Sequence, residues 1–286
     1  MNRNLKNTKP DTPAATSSGP VVLSGRQAPV RQRQEAILAL VRDKGYVANE
    51  SLARHFSVTP QTIRRDINAL CEEGWLQRYH GGAAPSSSIE NVAYSDRRII
   101  CLAEKEQIGR MVAEHIPEKA SLFINIGTTT EAVAGALCGH ELLRIITNNL
   151  NVATILSKNE NFDIMVTGGK IRNRDCALSG EATVDFIRQF KVDYGIIGIS
   201  GIDADGSLMD FDYGEVRAAR TIIDNSRKVF LVADHTKFGR KAMVRLGNIE
   251  EIDALFTDRT PPAPVVRMVR EAGAEIYTFD GRPTIE

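Results

Sequence analysis

Long apolar runs are missing from this 286-residue sequence. No stretch approaches the roughly 20 consecutive apolar residues that a membrane-spanning helix needs, so neither a span nor a membrane partner is expected. A secretory leader is also lacking, because Val21-Val22-Leu23 is too short an apolar core, and the protein is read as cytoplasmic. Cysteine is scarce: Cys71, Cys101, Cys138 and Cys176 lie at least 30 residues apart with no C-x-x-C pair, which excludes a disulfide scaffold and gives no zinc pattern. Reduced thiols used as small apolar residues fit that spacing, and neither metal nor cofactor is expected. There is no Walker A spacing and no G-x-G-x-x-G, so ATP and dinucleotides are poor candidate ligands.

What is present is the make-up of an ordinary soluble globular chain, 42% hydrophobic and 25% charged. Net charge is zero, with 36 Lys and Arg against 36 Asp and Glu, but it is unevenly distributed. Residues 1–85 hold 12 basic and 7 acidic side chains, and the remainder holds 24 and 29. A basic N-terminal module on an acidic body points to an anionic partner for the smaller part.

Residues 1–29, rich in Pro, Thr, Ser, Asn and Ala, read as a flexible tail. From Arg31 a helix carries Ile37, Leu38, Leu40 and Val41 and stops at Gly45. A short second helix is expected from an Asn49 cap, burying Leu52, Ala53 and Phe56. Thr59 caps a third, with Pro60 at its first position and Ile63, Ile67 and Leu70 facing inward. Gly74 ends that helix, and Trp75 to Gly82 reads as a β-hairpin.

This order predicts a winged helix-turn-helix over residues 30–83. Advancing 100° per residue from the apolar stripe turns Gln61, Thr62, Arg65 and Asn68 outward, with Arg64 on the flank. Arg pairs well with guanine and Gln or Asn with adenine in a major groove. With the capping Thr59 these form the candidate DNA-reading set, and Arg78 and His80 on the wing would position the domain on phosphates. The plain alternative is a solvated face whose arginines pair with Asp66 or Glu72.

Periodicity fades over 84–102, where Ala84-Pro85-Ser86-Ser87-Ser88 has linker composition. Residues 103–286 then alternate apolar runs (Ser121–Ile126, Leu143–Ile146, Asp163–Val166, Asp193–Ile199, Val229–Ala233, Ala254–Thr257) with helical ones. That alternation predicts a doubly wound parallel α/β domain whose ligand lies beyond the C-terminal strand ends. There, Gly127-Thr128-Thr129-Thr130 runs straight into a helix, a suitable place for a phosphate, although plain Thr capping explains it as well. Other strand ends offer Asn148 and Asn149, Gly169, Asp203 and Lys237, while Arg172, Arg174, Asp175 and Glu181 lie in one irregular stretch that either closes a site or is simply solvated.

The string EAILALVRDKGYVANESLARHFSVTPQTIRRDINAL, followed by RYHGGAA, resembles the DNA-binding module of the DeoR family of bacterial repressors. LFINIGTTTEAVAGAL, IITNNLNVA, GISGIDADGSLMDFDYGEVR and ADHTKFGRKAMV continue the resemblance, which runs from about Arg31 to Thr278. It implies a homodimeric or homotetrameric repressor of double-stranded operator DNA. In detail it implies control of glycerol and glycerol 3-phosphate uptake and catabolism, with glycerol 3-phosphate or a related phosphorylated polyol as the releasing inducer. The family's second domain is similar to the sugar-phosphate isomerase and CoA-transferase superfamily. By that similarity Gly127, Thr128, Thr129 and Lys237 take the phosphate, and Asn148, Asn149, Gly169, Asp203 and Glu215 are lesser contacts.

Two departures qualify the resemblance. Ser200 stands where the related isomerases carry an acid, and a neutral hydroxyl cannot serve as their proton-transfer base, so a binding domain rather than an enzyme is expected. The N-terminal extension of about 30 residues is unusual for the family; a misassigned start or a basic phosphate-contacting tail would each account for it. The competing readings are a DeoR-type repressor answering to another sugar phosphate, an isomerase-like enzyme fused to a DNA-binding module, and a DNA-binding protein with no small ligand.

Overall fold

The computed structural model describes residues 30–79, 81–86 and 91–279; the expected tail over 1–29 and the wing residue His80 lie outside them. Helix α1 (Val30–Lys44) buries Ile37 and Val41 completely, as its apolar stripe requires. After strand β1 (Val47–Ala48) comes α2 (Asn49–Phe56), closed by Ser57 in the left-handed conformation, and then α3 (Pro60–Glu72). Asn49 does not cap α2: Ala48 occupies the capping position, and Asn49 is a buried first-turn residue whose Oδ1 lacks a hydrogen-bond partner. Thr59 does cap α3, accepting from the Thr62 amide at 3.2 Å, with Pro60 at the first position. Strands β2 (Leu76–Tyr79) and β3 (Gly82–Pro85) form the wing, and β1 pairs with β3 on the far side.

Segment 84–102 is less irregular than its composition suggests. It begins within β3 and contains helix α4 (Tyr94–Ile99), after which Cys101 adopts a left-handed conformation and α5 (Leu102–Glu114) starts. Six residues are too few for a hydrophobic period to declare itself, so α4 left no mark in the sequence pattern.

The larger domain is built on seven parallel strands: β4 (Ser121–Ile124), β5 (Arg144–Thr147), β6 (Asp163–Val166), β9 (Val192–Gly198), β12 (Ser226–Val232), β14 (Ala254–Phe256) and β15 (Glu275–Tyr277). All six expected strands are present, five with ends within two residues of expectation and β12 beginning three residues earlier than expected, and β15 adds an edge. Their spatial order is β15-β14-β12-β9-β4-β5-β6, so the chain winds outward in both directions from the β4–β9 junction. Alternate strand residues face opposite cores. Leu122, Ile124, Ile145 and Phe230 pack under α5, α6 (Thr128–Leu137) and α7 (Leu150–Leu156). Phe123, Ile146, Ile197 and Leu231 face α8 (Glu181–Ile187), α9 (Tyr213–Asp224) and α10 (Ala263–Glu271). Helices α5 and α6 approach closely at Gly109, where a Cβ would come within 2.7 Å of the Ala132 carbonyl. Two antiparallel additions sit above the sheet: the hairpin β7 (Lys170–Arg172) with β8 (Ala177–Ser179), and a sheet of β10 (Gly201–Ile202), β11 (Ser207–Asp210) and β13 (Val244–Asn248).

Candidate functional site

Helix α3 is held from behind and open in front. Ile63, Ile67 and Leu70 are buried against α1 and α2, and Asp66 turns inward to meet Arg33 of α1, Oδ2 to Nε at 2.6 Å and Oδ1 to Nη2 at 3.2 Å. Asp66 is thereby committed to the core. Gln61, Arg64 and Arg65 are exposed, whereas the Thr59 and Thr62 hydroxyls share a hydrogen bond at 2.9 Å at the helix start. Asn68 differs from the others: its Oδ1 accepts from Arg78 Nη1 at 3.1 Å, so recognition helix and wing are joined through two of the residues expected to meet DNA separately. The remaining exposed set, Gln61, Arg64 and Arg65, pairs two cations with an amide, side chains of the kind that reach base edges in a groove.

In the larger domain a cavity opens at the ends of β4 and β9, the topological switch point of the sheet. Its floor is Asn125 to Thr129. Gly127, at φ 141°, turns the chain into α6 so that amides at the helix start and the Thr128 and Thr129 side chains border one hollow. Thr130 is withdrawn from it, its hydroxyl donating to the Asn125 and Gly127 carbonyls at 2.8 Å.

Lys237 enters from the turn after β12, beside buried Asp234 at 4.0 Å. Burial pushes its ammonium down to about 8 against the pull of Asp234. Glu215, in the same lining, is pushed up to about 7 by burial and by the nearby Asp210 charge, with Arg172 opposing the shift. Asp210 is itself raised by burial and accepts from the Ser200 hydroxyl at 3.0 Å. Arg172 is fully engaged by Asp175, Asp212 and Glu215. The cavity therefore brings helix-start amides and a buried cation together with carboxylates, which suits a small molecule with both an anionic and a hydroxylic end.

Of the nine residues expected to line such a site, five do so: Gly127, Thr128, Thr129, Glu215 and Lys237. The other four serve the scaffold. Asn148 donates to the Leu178 carbonyl at 3.2 Å, and Asn149 caps α7 and donates to Glu131. Gly169, at φ 133°, makes room for Ser179 and Thr183, and Asp203 anchors the turn into β11 through its backbone. Spacing at strand ends marks turns and ligand contacts alike, which is why these four were drawn in.

Tyr94, Arg97, Asn125, Glu131 and Asp210 line the cavity without having been anticipated as contacts; Ser200, which opens one of the strand-end stretches, and Asp175, expected only as a closing residue, join them. Asn125 stands two residues before the Gly127–Thr130 loop and was within reach of the strand-end argument; Tyr94 and Arg97 belong to α4, which sequence pattern did not reveal. The fold also gathers donor atoms of Cys101, Asp234 and His235 within 4.8 Å of one another, a juxtaposition invisible in their sequence separation. Lys105 and Lys237 both favour the charged form of Asp234, so its carboxylate already has cations to answer it.

Residues 33–88 match the model of a DeoR-like helix-turn-helix domain, and residues 101–259 match that of a DeoR C terminal sensor domain. The chain is 55% identical over 240 residues to the glycerol-3-phosphate regulon repressor of Escherichia coli (strain K12), covering 84% of this chain and 95% of that protein. To the glycerol-3-phosphate regulon repressor of Haemophilus influenzae it is 51% identical over 250 residues, 87% of this chain and 97% of that one. Among solved structures, ribose 5 phosphate isomerase A from Neisseria gonorrhoeae aligns at 15% identity with a TM-score of 0.34, over 47% of this chain and about half (52%) of that one. At that score the likeness carries no functional inference.

Proposed function

The chain belongs to the DeoR family of transcriptional repressors, and from that premise we propose that it silences glycerol and glycerol 3-phosphate genes until glycerol 3-phosphate fills the switch-point cavity. One observation carries the reading of the ligand. The start of α6, with Gly127, Thr128 and Thr129, shares a cavity with buried Lys237, while Asp210 and Glu215 on the same walls suit hydroxyl groups. A phosphate finds amides, a helix dipole and an ammonium there; a bare polyol satisfies only half of the lining.

Repression itself rests on α3, whose exposed Gln61, Arg64 and Arg65 enter a major groove while Arg78 lies on the wing. Two such helices, supplied by a homodimer or homotetramer, read operator half-sites about one helical turn (roughly 34 Å) or a multiple apart. The inducer acts by favouring an arrangement in which that spacing is wrong, and its effect is bounded by its differential affinity for the two arrangements. Catalysis is no part of the reading. The named relatives are repressors, and Ser200 gives its hydroxyl to Asp210 instead of supplying the acid that a proton transfer would use.

The testing experiment is a thermal shift of the whole protein against glycerol 3-phosphate, glycerol, inorganic phosphate and several sugar phosphates. At 100 times Kd the specific ligand stabilises by about 2.7 kcal/mol. A shift selective for glycerol 3-phosphate and lost in Lys237→Ala is expected. A larger shift with another phosphosugar reassigns the regulon, and no shift with any phosphate removes the ligand from the reading.

A further inference from the structure

The segment that joins the two domains also forms a wall of the effector cavity. Tyr94 and Arg97 of α4 line it, Tyr94 donating its hydroxyl to Glu131 Oε2 at 2.8 Å. Three residues upstream of Tyr94, Asn91 donates to Ser200 Oγ at 3.3 Å and accepts from Arg240 Nη2 at 2.8 Å. The end of α4 is pinned as well, because the buried ammonium of Lys105 donates to the carbonyls of Arg97 and Ile100. Thus the connector touches the sensor domain at each of its polar side chains that face the cavity.

Arg97 is the member whose bonding is incomplete. Its side chain is 18% exposed, its Nη2 makes a long ion-pair contact with Asp175 Oδ2 at 3.5 Å, and its buried Nε has no hydrogen-bond partner. Arg172, by contrast, is satisfied by three carboxylates. A second orphan lies in the same cavity, the buried Oδ1 of Asn125 at the foot of the Thr-rich loop. Buried polar groups without partners cost stability unless something else completes them, and here both belong to the lining of one hollow. Arg97 also exerts its charge on Asp210, Glu215, Lys237 and Arg240, which places it centrally among the polar groups of the cavity and of the domain junction.

We propose that Arg97 is a direct ligand of the effector's phosphate, closing the anion subsite opposite Gly127 to Thr129, so that the effector grips the very segment that carries the DNA-binding domain. A guanidinium presents Nε and Nη donors in a planar fork that matches phosphate oxygens, and phosphate completes the orphaned Nε. Engaging phosphate draws Arg97 from Asp175 and moves α4, and with it the chain leading to the wing. The signal then needs no relay through the sheet: the connector is itself part of the binding site.

This inference rests on the cavity's being the phosphate site, and the test separates the two. Glycerol 3-phosphate and inorganic phosphate are titrated calorimetrically into the full-length wild type, Arg97→Gln and Arg97→Lys, and operator affinity is followed by fluorescence anisotropy with and without glycerol 3-phosphate. The expected result is that Arg97→Gln weakens both ligands by the same factor, on the order of tenfold or more, with Arg97→Lys intermediate, and that operator release shifts to correspondingly higher glycerol 3-phosphate. Should Arg97→Gln fold poorly, the charge-conserving Arg97→Lys carries the same comparison, because it lacks the fork. Wild type that binds neither ligand overturns the reading of the cavity. Wild-type binding together with unchanged affinity in the variants overturns the role of Arg97 and leaves that reading standing. Loss confined to glycerol 3-phosphate, with inorganic phosphate unaffected, moves Arg97 to the hydroxyl end and overturns the phosphate assignment.

Discussion

The guanidinium of Arg240 lies 5.8 Å from the ring centroid of Tyr79, so the last residue of strand β2 rests on a buried cation of the sensor domain. The same guanidinium stands 4.9 Å from the Phe211 ring and donates to the Ser200 carbonyl at 3.2 Å, beside the effector cavity. Tyr79 also packs with Ala84, Ile100 and Cys101 in a small core of its own between the domains. Wing and cavity are therefore two residues apart.

Removing that ring tests the junction. Tyr79→Ala is expected to cost about 3–5 kcal/mol, as truncation of a buried aromatic does, and to separate one cooperative melt into two in scanning calorimetry. Tyr79→Phe, which keeps the ring, is expected to melt like the wild type. A single unshifted transition in Tyr79→Ala would show that the two domains are not mechanically joined here.

The Arg33–Asp66 pair makes a different prediction. Both side chains are almost fully buried, 7% and 4% exposed, so deleting the Asp66 carboxylate removes the two-bonded contact that joins α3 to the Arg33 guanidinium of α1. Asp66→Ala is expected to destabilise the DNA-binding domain by about 3–5 kcal/mol and to abolish operator binding through unfolding. Replacing both at once, as Arg33→Met with Asp66→Leu, should recover most of that loss, because apolar pairs of similar volume often do as well as a buried ion pair. Urea titrations of the wild type and the two variants decide it; a double variant no better than the single one would mean that the pair's geometry, and not its charge balance, holds α1 to α3.

Much of this was legible beforehand, for reasons that can be named. Helix α3 announced itself by a capping Thr59, Pro60 at its first position and an uninterrupted apolar stripe, and the central parallel strands β4, β9 and β12 by apolar runs, whereas the edge strand β15 left no such mark. The Thr-rich loop was found because a strand, a glycine and a helix start are contiguous in the chain. Asn148 and Asn149 were misread because asparagine at a strand end does equally well as a cap, and here it caps α7 or ties down β8. Arg97 and Asp210 went unnoticed for the opposite reason. Nothing local distinguishes a cavity-lining arginine in a short helix, or an acid ending a short antiparallel strand, from the charged residues that cover any surface.

Arg65 and Arg78 are expected to fail in different ways. Arg65 is exposed on α3 with its neighbours packed behind it, so Arg65→Ala should cost about 1–3 kcal/mol on operator DNA and little on random DNA if it reads a base. Arg78 is tethered to Asn68 on the wing, and Arg78→Ala should weaken both DNAs alike and reduce the salt slope by about one unit. Competition binding at several salt concentrations distinguishes them. Equal losses on both DNAs for Arg65→Ala would turn it into a phosphate contact and move base reading to Gln61 or Arg64.

The pH dependence of induction follows from Lys237. Burial lowers its ammonium to about 8 from an ordinary 10.5, so folding favours the neutral amine: the stability involved is present above the ordinary value and is lost as pH falls through about 8. Glu215, raised by burial to about 7, has the mirror relation, favouring the neutral acid and losing its contribution as pH rises through about 7. A bound phosphate reverses the preference at Lys237, because the anion pairs with the charged ammonium and not with the neutral amine. Glycerol 3-phosphate affinity is thus expected to be greatest below about 8 and to fall above it, approaching tenfold per pH unit as one proton must be taken up on binding. Lys237→Arg carries a charge that does not titrate in this range, and its profile should be flat there, whatever its absolute affinity. Calorimetric titrations between neutral and alkaline pH, in buffers of differing ionisation heat, read both the affinity and the proton uptake. A wild-type profile as flat as that of Lys237→Arg would mean that the ammonium holds no phosphate and that the anion is carried by Arg97 and the start of α6.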